Sequence, residues 1–505
     1  MLRLTEGLPC RCRELRAEHA PSEICLSEAI MSAMEVRNPR TGQYDYSFNA
    51  ATAEEVGEMA DRARAAQRQW AERGLEYRTQ ILMAWADALK TQGANIVAAL
   101  SVDTARTRIS EEELDAVIHF IHGFCEAAPE VLATPFRKVA SHPDVVFKVT
   151  YVPYSLVGVI SPWNFPLVLS FIDAIPALVA GAAVIIKPSE VTPRFVEPLR
   201  KTIEAVPGLK DVLQLVQGGA GTGQALVAKS DAVVFTGSIP TGRKIAVAAA
   251  EAFIPAFLEL GGKDAAVVLE GADVERAATS ILRSALYNSG QVCYAIERVY
   301  AHASLHDRLV DAMVRQAATL KRSFAAGDGG HYGPMIFARQ GAIIDAQLDD
   351  AVAKGARIAL GGKSQTVDGA VWIDPTILVG ASHEMTLMTE ETFGPIVPVM
   401  KFSTEDEAEH LMNDSQFGLS GAVFGPDSHV AGNFALKMEA GGVSINDTEL
   451  PRVMMFDGEK MAFKQSGMGG SRYGATSLLR YVRKRALLAN EGAVPPLSKL
   501  EETPL

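Results

Sequence analysis

Hydrophobic and polar residues follow two different periods along the chain. Residues 52–70, 76–90 and 111–128 carry apolar side chains at three- and four-residue spacing, which predicts three helices. The first of them opens with Thr52 and Glu55 at the spacing of a capping box. Residues 145–152 are β-rich and alternate in part, which predicts an exposed strand with two different faces.

A regular alternation of short apolar runs and helical patterns follows. Strands are predicted at residues 156–161, 183–187, 211–216, 232–235 and 256–260, and helices at residues 167–179, 194–205, 221–229 and 241–252. A second alternating series has strands at residues 265–269, 297–301, 357–360, 421–424 and 443–446. Such alternation predicts the α/β class, with two doubly wound parallel sheets covered on both faces.

Length and charge narrow the function classes. With 505 residues, the chain is long enough for about three domains, since a domain usually has ~150 residues. The formal net charge is -12 without a block of like charges, which argues against nucleic acid and against a polybasic membrane contact. Residues 165–186 are apolar, but Asp173 and two prolines interrupt them, so a buried helix and strand are predicted instead of a membrane span.

The cysteines and the first residues of the chain bear on the cellular location of the protein. The five cysteines are few and irregularly spaced, which argues against a disulfide framework and favours the reducing cytoplasm. Cys10 and Cys12 form a C-x-C without a second Cys/His pair nearby, so no metal site is predicted. Residues 1–34 lack the apolar stretch of a signal peptide, and we expect a disordered extension.

Two short runs carry the most specific chemistry. Cys293 ends the run Asn-Ser-Gly-Gln-Val-Cys, and Glu259 lies in Phe-Leu-Glu-Leu-Gly-Gly-Lys. A lone cysteine is more often a packed core residue, whereas a carboxylate at an apolar strand end is costly to bury and needs a reason. Together they offer a thiol nucleophile and a carboxylate base, and we expect them to meet at the junction of the two α/β domains.

Other motifs permit both a structural and a functional interpretation. The glycine-rich residues 218–223 lack the spacing of a dinucleotide loop and are more typical of a tight turn. Gly237 and Ser238 leave a strand and open a helix, a better place for a phosphate. Asn164, between two prolines, belongs to a rigid turn or donates to an oxyanion. Lys187 and Glu190, at a strand's carboxyl end, are solvated or bind ribose hydroxyls.

Taken together, the motifs resemble the NAD(P)-dependent aldehyde dehydrogenase superfamily. The resemblance extends from about residue 35 to about residue 490, with the motifs in family order and at family-like spacing. It is carried by Pro162-Trp-Asn-Phe-Pro166, Lys187-Pro-Ser-Glu190, Phe235-Thr-Gly-Ser238, Leu258-Glu-Leu-Gly-Gly262, Gly290-Gln-Val-Cys293 and Glu390-Glu-Thr-Phe-Gly-Pro395.

The resemblance implies a catalytic trio and a cofactor site. Cys293 would be the nucleophile, Asn164 would form the oxyanion hole with the Cys293 N–H group, and Glu259 would activate the hydrolytic water. The aldehyde would become a carboxylic acid through a thiohemiacetal and a thioester, and Glu259 favours water over CoA as the acyl acceptor. The implied NAD(P) ligands are Trp163, Lys187, Glu190, Gly237, Ser238, Glu391 and Phe393; Glu190 would repel a 2′-phosphate and favour NAD.

The substrate is less well determined by the same resemblance. The implied aldehyde channel is apolar or aromatic, which favours an uncharged aliphatic or aromatic aldehyde; it contains Leu169, Ile172, Val292 and Tyr294. Arg452 could instead bind the carboxylate of a semialdehyde acid. A catalytically silent protein on the same fold is a third hypothesis, and the intact trio argues against it. Residues 461–464 and 469–471 depart from the family pattern at the pocket mouth.

The resemblance also implies a domain plan and an assembly. Residues 35–135 and 154–261 would form the NAD(P)-binding domain, and residues 262–462 the catalytic domain. Residues 136–153 and 476–491 would build a small β oligomerisation domain, followed by a tail at residues 492–505. Homodimers or homotetramers are therefore expected.

Overall fold

The structure is a computed structural model that describes residues 33–500 and residue 502. Nearly all of the predicted extension, with Cys10 and Cys12, lies outside the described residues. The helices are α1 (Ala53–Glu72), α2 (Gly74–Thr104), α3 (Thr107–Val131), α4 (Val168–Phe171), α5 (Ala174–Ala180), α6 (Val196–Glu204), α7 (Ala220–Lys229), α8 (Ile239–Glu251), α9 (Val274–Leu286), α10 (His306–Ala317), α11 (Arg339–Ala353), α12 (Thr386–Thr389), α13 (Glu405–Asn413), α14 (Ser428–Ala435) and α15 (Leu450–Val453). Short 3-10 segments lie at Tyr287–Gly290, Ala475–Tyr481 and Leu497–Leu500.

The strands lie between and beside these helices. They are β1 (Ala33–Arg37), β2 (Tyr44–Asn49), β3 (Arg137–Val139), β4 (His142–Pro153), β5 (Leu156–Ile160), β6 (Ala183–Lys187), β7 (Leu213–Leu215), β8 (Ala232–Thr236), β9 (Ala256–Glu259), β10 (Asp264–Val268), β11 (Ile296–His302), β12 (Arg357–Leu360), β13 (Gln365–Val367), β14 (Ala370–Trp372), β15 (Thr376–Val379), β16 (Ile396–Phe402), β17 (Phe417–Gly418), β18 (Ser420–Phe424), β19 (Gly442–Ile445), β20 (Phe463–Lys464), β21 (Gly467–Met468) and β22 (Val482–Asn490).

Two large sheets organise the chain. The first has the order β21-β9-β8-β5-β6-β7, and all its pairings are parallel except that of β21 with β9. The second has the order β12-β15-β16-β11-β10-β18-β19, and only its edge strand β12 is antiparallel. These two parallel sheets, with helices connecting the strands, confirm the predicted α/β class.

The two sheets are joined by a very short segment. Strand β9 ends at Glu259 and β10 begins at Asp264, so only residues 260–263 connect them. One hydrophobic core packs α1 to α8 against the first sheet, and two others cover the second sheet. Glu259 therefore lies at the connection between the two sheets, which is the position predicted for a ligand site.

A third, antiparallel sheet touches the first core through Val482 and Tyr151. Strand β4 pairs with β22 over nine residues and with β3 on its other edge. Every residue of β22 after Val482 is exposed, and β4 is exposed or half-buried along its length. Most predicted strands lie within two residues of their observed bounds. The expected pairing of the 145–152 segment with a late segment is also observed.

Two predicted elements differ from the structure. The helix predicted at residues 167–179 is two helices, α4 and α5, because the chain breaks at Ile172–Asp173, where Asp173 is drawn into buried ion pairs. Helix α2 runs on to Thr104, well past the predicted end at residue 90. Across residues 33–500, each helix is too short or too polar to pass through a bilayer.

Candidate active site

The loop that carries Cys293 has a strained backbone. Asn288 and Ser289 have positive φ angles of 49° and 55°, and Gly290 follows with 73°. Three consecutive residues in the left-handed region are costly for non-glycine residues and mark a conformation imposed by the surrounding structure. A Cβ atom on Gly290 would lie 2.1 Å from the Gly394 carbonyl carbon, so glycine alone fits here.

Buried side chains hold this loop in place. Arg106 donates to the Asn288 carbonyl oxygen at 3.3 Å, and the Ser289 hydroxyl donates to the Gly333 carbonyl oxygen at 2.9 Å. The Gln291 side chain donates to the Asn288 carbonyl oxygen at 2.8 Å and accepts from the Ile336 N–H group at 2.9 Å. Because these hydrogen bonds tie the loop to neighbouring backbone groups, they fix the position of Cys293.

Asn164 lies against the same loop from the first sheet. It is 4% exposed, and its Nδ2 atom donates to the Gln291 carbonyl oxygen at 3.0 Å. In return, Asn288 Nδ2 donates to the Asn164 carbonyl oxygen at 3.0 Å. An amide nitrogen carries two N–H groups, so one donor of Asn164 stays free beside Cys293.

Glu113 fixes the segment that follows Asn164. Its Oε2 atom accepts from the Leu167 and Val168 N–H groups at 2.8 and 2.9 Å, which satisfies donors at the start of α4. Burial raises the pKa of Glu113 to about 8, with the two N–H donors opposing the rise. Helix α3 therefore positions the segment after Asn164 through Glu113. Arg106, which contacts the Cys293 loop, directly precedes the same helix.

Cys293 is half-buried and lines two cavities. The first has a volume of about 370 Å³ and also contains Asn164, Glu259 and Glu391 among its walls. The second has a volume of about 390 Å³ and lies toward helix α3. Burial, followed by the charge of Glu391, raises the pKa of the Cys293 thiol to about 12. Cys293 thus borders both cavities, and its thiol must lose a proton before it can react as a thiolate.

The first cavity suits a dinucleotide's reactive end. Gly237 and Ser238 line it at the start of α8, which has no side-chain cap, so its first N–H groups are available to an anion. Trp163 and Phe393 form an edge-to-face pair in its wall, with ring centres 5.4 Å apart. A Cβ atom on Gly261 would lie 2.5 Å from the Glu391 carboxylate, so glycine keeps that space open.

Buried ions support the wall formed by Glu391 and Phe393. Glu297 accepts from the N–H groups of Thr392 and Phe393 at 2.8 and 2.7 Å, and it pairs with buried Lys263 at 2.7 Å. Burial, followed by the charge of Glu297, raises the pKa of Glu391 to about 8. Glu391 Oε1 accepts from the Gly262 N–H group at 3.1 Å, which aims its carboxyl group into the cavity.

Lys187 and Glu190 meet outside this cavity. They lie after β6 at the carboxyl edge of the first sheet, and Lys187 Nζ is 3.2 Å from Glu190 Oε2. Lys187 is 4% exposed, whereas the Glu190 side chain is 42% exposed. This edge is where parallel sheets bind nucleotides, so the pair fits the ribose role that the resemblance implied. The 218–223 run forms the start of α7 and does not line the first cavity.

Glu259 lines the first cavity with its side chain 15% exposed. Two guanidinium groups approach its Oε1 atom, Arg472 Nε at 4.0 Å and Arg480 Nη1 at 3.9 Å. Asp173 binds both arginines in turn, at 2.6 and 3.3 Å. The predicted carboxylate base thus shares the first cavity with the thiol and is backed by a buried ion cluster.

The second cavity is largely aromatic. Phe165 and Tyr287 stack at 6.0 Å between ring centres with a 20° angle. The other aromatic residues that line it are His119, Phe120, Tyr294 and Tyr473. Leu169, Ile172 and Tyr294 line it as the resemblance implied, while Val292 is 2% exposed and lines neither cavity.

An atypical loop closes the second cavity. Met455 and Arg452 line it, and Phe456 packs edge-on against Phe124 at 5.1 Å. A Cβ atom on Gly123 would lie 2.6 Å from the Phe456 ring, so glycine makes room for this anchor. The loop 450–461 is therefore fastened to α3 over the cavity.

Sequence reasoning missed several of these residues. Glu113, Glu297 and the Asp173–Arg472–Arg480 cluster are buried charges whose partners lie far away in the chain. A signal existed for Asp173, since a lone carboxylate inside an apolar run needs a partner. The pattern gives no hint of which arginine supplies it.

Known proteins resemble this chain over nearly its whole length. The model of the aldehyde dehydrogenase family matches residues 26–487. The Methylomonas protein named 4,4'-diapolycopene aldehyde oxidase is 37% identical over 409 residues, covering 78% of this chain and 74% of that protein. A Mycolicibacterium smegmatis protein provisionally named as an NADP+ succinate-semialdehyde dehydrogenase is 31% identical over 463 residues, covering 90% of this chain and 89% of that protein.

Solved structures agree with these relatives. PutA from Anabaena variabilis, provisionally named as an aldehyde dehydrogenase, is 45% identical with a TM-score of 0.90, covering 92% of this chain and 99% of that one. Betaine aldehyde dehydrogenase from Staphylococcus aureus, solved in complex with NAD+, is 30% identical with a TM-score of 0.86, covering 92% of this chain and 93% of that one.

Proposed function

Because this chain belongs to the aldehyde dehydrogenase family, we propose that it oxidises an uncharged aromatic or aliphatic aldehyde to the acid, with Cys293 as nucleophile. The observation that supports this most strongly is the position of Cys293 between two cavities. One cavity has the walls of a nicotinamide site, and the other is an apolar, aromatic chamber. Substrate and NAD(P) can then reach Cys293 from different cavities.

The first step is addition to the aldehyde. The Cys293 thiol gives up its proton to water, so Glu259 remains available for the later hydrolysis step. The thiolate forms a C–S bond with the aldehyde carbon, and the carbonyl π electrons move onto oxygen as an alkoxide. The free N–H of Asn164 and the backbone N–H of Cys293 are the donors for that oxygen, each contributing about 3–4 kcal/mol in comparable sites.

The cofactor would be held by residues already in place. The α8 N-terminus fits the pyrophosphate, Lys187 and Glu190 fit the adenine ribose, and Glu391 and Phe393 fit the nicotinamide half. When bound, NAD(P)+ supplies the acceptor for the hydride that leaves the alkoxide carbon. Glu190 would repel a 2′-phosphate, which favours NAD; Glu190→Ser should then improve the kcat/KM ratio for NADP over NAD.

The second half of the reaction releases the acid. After oxidation, the acyl group remains on Cys293 as a thioester. Glu259 takes a proton from a water molecule, the resulting hydroxide attacks the acyl carbon, and the C–S bond breaks to regenerate the thiolate. Glu259→Gln should therefore slow hydrolysis and leave an acyl group on Cys293.

The second cavity favours an uncharged substrate over a semialdehyde acid. Arg452 is already engaged, with its Nη2 atom 3.4 Å from Glu449 and its guanidinium group 5.1 Å above the Tyr287 ring. Glu112 also lines the cavity, and its carboxylate offsets the Arg452 charge. A carboxylate entering there would meet the like charge of Glu112, which costs free energy in a partly desolvated site.

An aldehyde panel tests this substrate class. We expect benzaldehyde and hexanal to exceed succinate semialdehyde in kcat/KM, and Arg452→Met to leave the uncharged substrates largely unaffected. A preference for succinate semialdehyde that disappears in Arg452→Met would contradict the proposal and support a semialdehyde dehydrogenase. Cys293→Ala should abolish turnover of every aldehyde; turnover in that variant would contradict the nucleophile assignment.

The assembly is proposed from the third sheet. Residues 136–153 and 476–491 would form an oligomerisation domain beside a cofactor domain (35–135 and 154–261) and a catalytic domain (262–462). In support, β22 is exposed along its length, with Leu488 68% exposed. Leu488→Asp should reduce the mass measured by light scattering, whereas Leu436→Asp, at another exposed leucine, should not. An unchanged mass in both variants would contradict this interface.

The location is proposed from the reactive thiol. Cys125 and Cys293 are both free in the described part of the chain, and a nucleophilic thiol must stay reduced. We therefore place the enzyme in the cytoplasm. Cell fractionation with a tagged full-length chain tests this, and recovery outside the cytoplasmic fraction would contradict it.

A further inference from the structure

Glu259 belongs to a buried ion cluster whose other members have no part in the reaction described above. The other charged members are Asp173, Arg472 and Arg480, which come from the α4–α5 break and from residues before β22. Both arginine side chains are 7% exposed and Asp173 is 1% exposed. Such burial is expensive unless the charges are matched.

Asp173 fixes the geometry of both arginines. Its Oδ2 atom is 2.6 Å from Arg472 Nη2, and its Oδ1 atom accepts from Arg480 Nη1 at 3.3 Å. The Tyr481 hydroxyl donates to the same Oδ1 atom at 2.7 Å. Arg472 also donates to the hydroxyl of Thr236, a residue that lines the first cavity. The guanidinium groups therefore cannot turn away from the cavity without losing partners.

The charges balance only when Glu259 is counted. Two guanidinium groups carry two positive charges, and Asp173 compensates one of them. The second is left for Glu259, whose Oε1 atom lies 3.9–4.0 Å from both arginines. In the described residues, Arg472 Nε and Arg480 Nε and Nη2 are buried without a hydrogen-bond acceptor. At 3.9–4.0 Å, Glu259 compensates the arginine charge without accepting a hydrogen bond from these donors.

We propose that Arg472 and Arg480 are positioning residues for thioester hydrolysis, holding the Glu259 carboxylate in its place in the wall of the first cavity. The proposal rests on the role of Glu259 in the proposed function. The arginines touch neither substrate nor cofactor; they act through Glu259. Toward the cavity, the titratable groups that share its walls with Glu259 are Cys293 and Glu391, and neither supplies a positive charge. The two arginines are thus the source of the balancing charge.

A double-mutant cycle on hydrolysis tests this inference. The full-length protein is mixed with benzaldehyde and NAD, and the acyl group on Cys293 is followed by quenched mass spectrometry. Glu259→Gln, Arg480→Gln and the double variant are compared. We expect Arg480→Gln to slow hydrolysis about tenfold in the wild-type background and to have no further effect beside Glu259→Gln. The rate of Cys293 alkylation by iodoacetamide should stay unchanged in Arg480→Gln.

Arg78→Gln is the matched control. Arg78 is also a buried arginine, 7% exposed, but it donates to the Val179 carbonyl oxygen and not to a carboxylate. It should lower stability without slowing hydrolysis. If Arg480→Gln does not fold, Arg480→Lys keeps the charge but not the forked geometry, and the same coupling with Glu259→Gln is expected at smaller size.

The outcomes separate the two hypotheses. If Arg480→Gln slows hydrolysis equally with and without Glu259, the arginine is a structural support and the inference is wrong. If Glu259→Gln slows hydrolysis but Arg480→Gln and Arg480→Lys do not, the inference is wrong while the proposed function stands. If Glu259→Gln hydrolyses its thioester at the wild-type rate, the proposed role of Glu259 fails first, and the inference with it.

Discussion

The Cys293 thiol of the cofactor-free protein should be a poor nucleophile, because burial and the charge of Glu391 keep it protonated. Burial and then the Glu391 charge raise its pKa to about 12, so about one thiol in a thousand is ionised at pH 9. Glu391 itself has its pKa raised to about 8, so its charge is present above that pH and absent well below it. Glu391→Gln removes this charge at every pH.

The size of the effect follows from the charge removed. A like charge nearby shifts a pKa by about one unit or more, and one unit equals about 1.4 kcal/mol or a tenfold change in thiolate. We therefore expect Glu391→Gln to speed alkylation of Cys293 about tenfold at pH 9.5. At pH 6.5 the two proteins should react almost alike, because the wild-type Glu391 is then protonated.

Iodoacetamide labelling read by peptide mass spectrometry measures this rate at Cys293 separately from Cys125. Glu390→Gln is the matched control, since this neighbouring glutamate is exposed and does not line the first cavity. Equal rates for Glu391→Gln and wild type at pH 9.5 would refute the reasoning. So would a wild-type rate that levels off near pH 8, because the thiol would then have a pKa far below 12.

Three further predictions concern the supports of the site. Gly290→Ala should lose nearly all activity and at least 1–2 kcal/mol of unfolding free energy, about the cost of a left-handed non-glycine residue, because its Cβ would also strike the Gly394 backbone at 2.1 Å; wild-type turnover would contradict this. Glu297→Ala should cost about 3–5 kcal/mol in urea unfolding, since it leaves buried Lys263 unpaired, and should raise the KM for NAD; a loss below 1 kcal/mol would contradict the pairing. Glu113 has a folded pKa of about 8 against an ordinary 4.5, so its stabilisation is full below about pH 4.5 and is lost as pH rises through 8. The unfolding free energy of wild type should therefore fall relative to Glu113→Gln over that window, by up to about 5 kcal/mol for about 3.5 pKa units at about 1.4 kcal/mol each, and parallel curves would contradict the shift.

The local sequence was sufficient to predict the elements whose structure depends on local interactions. Strands β6 and β12 have their predicted bounds because each is a short apolar run between turn residues, and the capping box at Thr52 forms as predicted. Helix α2 passes the predicted stop because Gly93 is used for packing: a Cβ atom there would lie 2.5 Å from Leu114 of α3. A glycine that ends one helix and a glycine that admits a neighbouring helix look alike in sequence.

The chemistry of the site divides in the same way. The residues around Cys293 and Glu259 lie in contiguous motifs, so sequence could propose them, and the structure brings both to one cavity. The supporting ion pairs could not be proposed, because Asp173 and Arg480 are 307 residues apart. Which distant arginine reaches a buried carboxylate depends on the packed fold, and no period in the sequence records it.

The central claim is that Cys293 carries the acyl group between oxidation and hydrolysis. The most direct measurement uses Glu259→Gln mixed with benzaldehyde and NAD, quenched in acid and mapped by peptide mass spectrometry. We expect the peptide containing Cys293 to gain the mass of the aldehyde less two hydrogens overall, and Cys293→Ala to yield neither this adduct nor reduced NAD. Reduced NAD and acid formed at the wild-type rate by Cys293→Ala would contradict it.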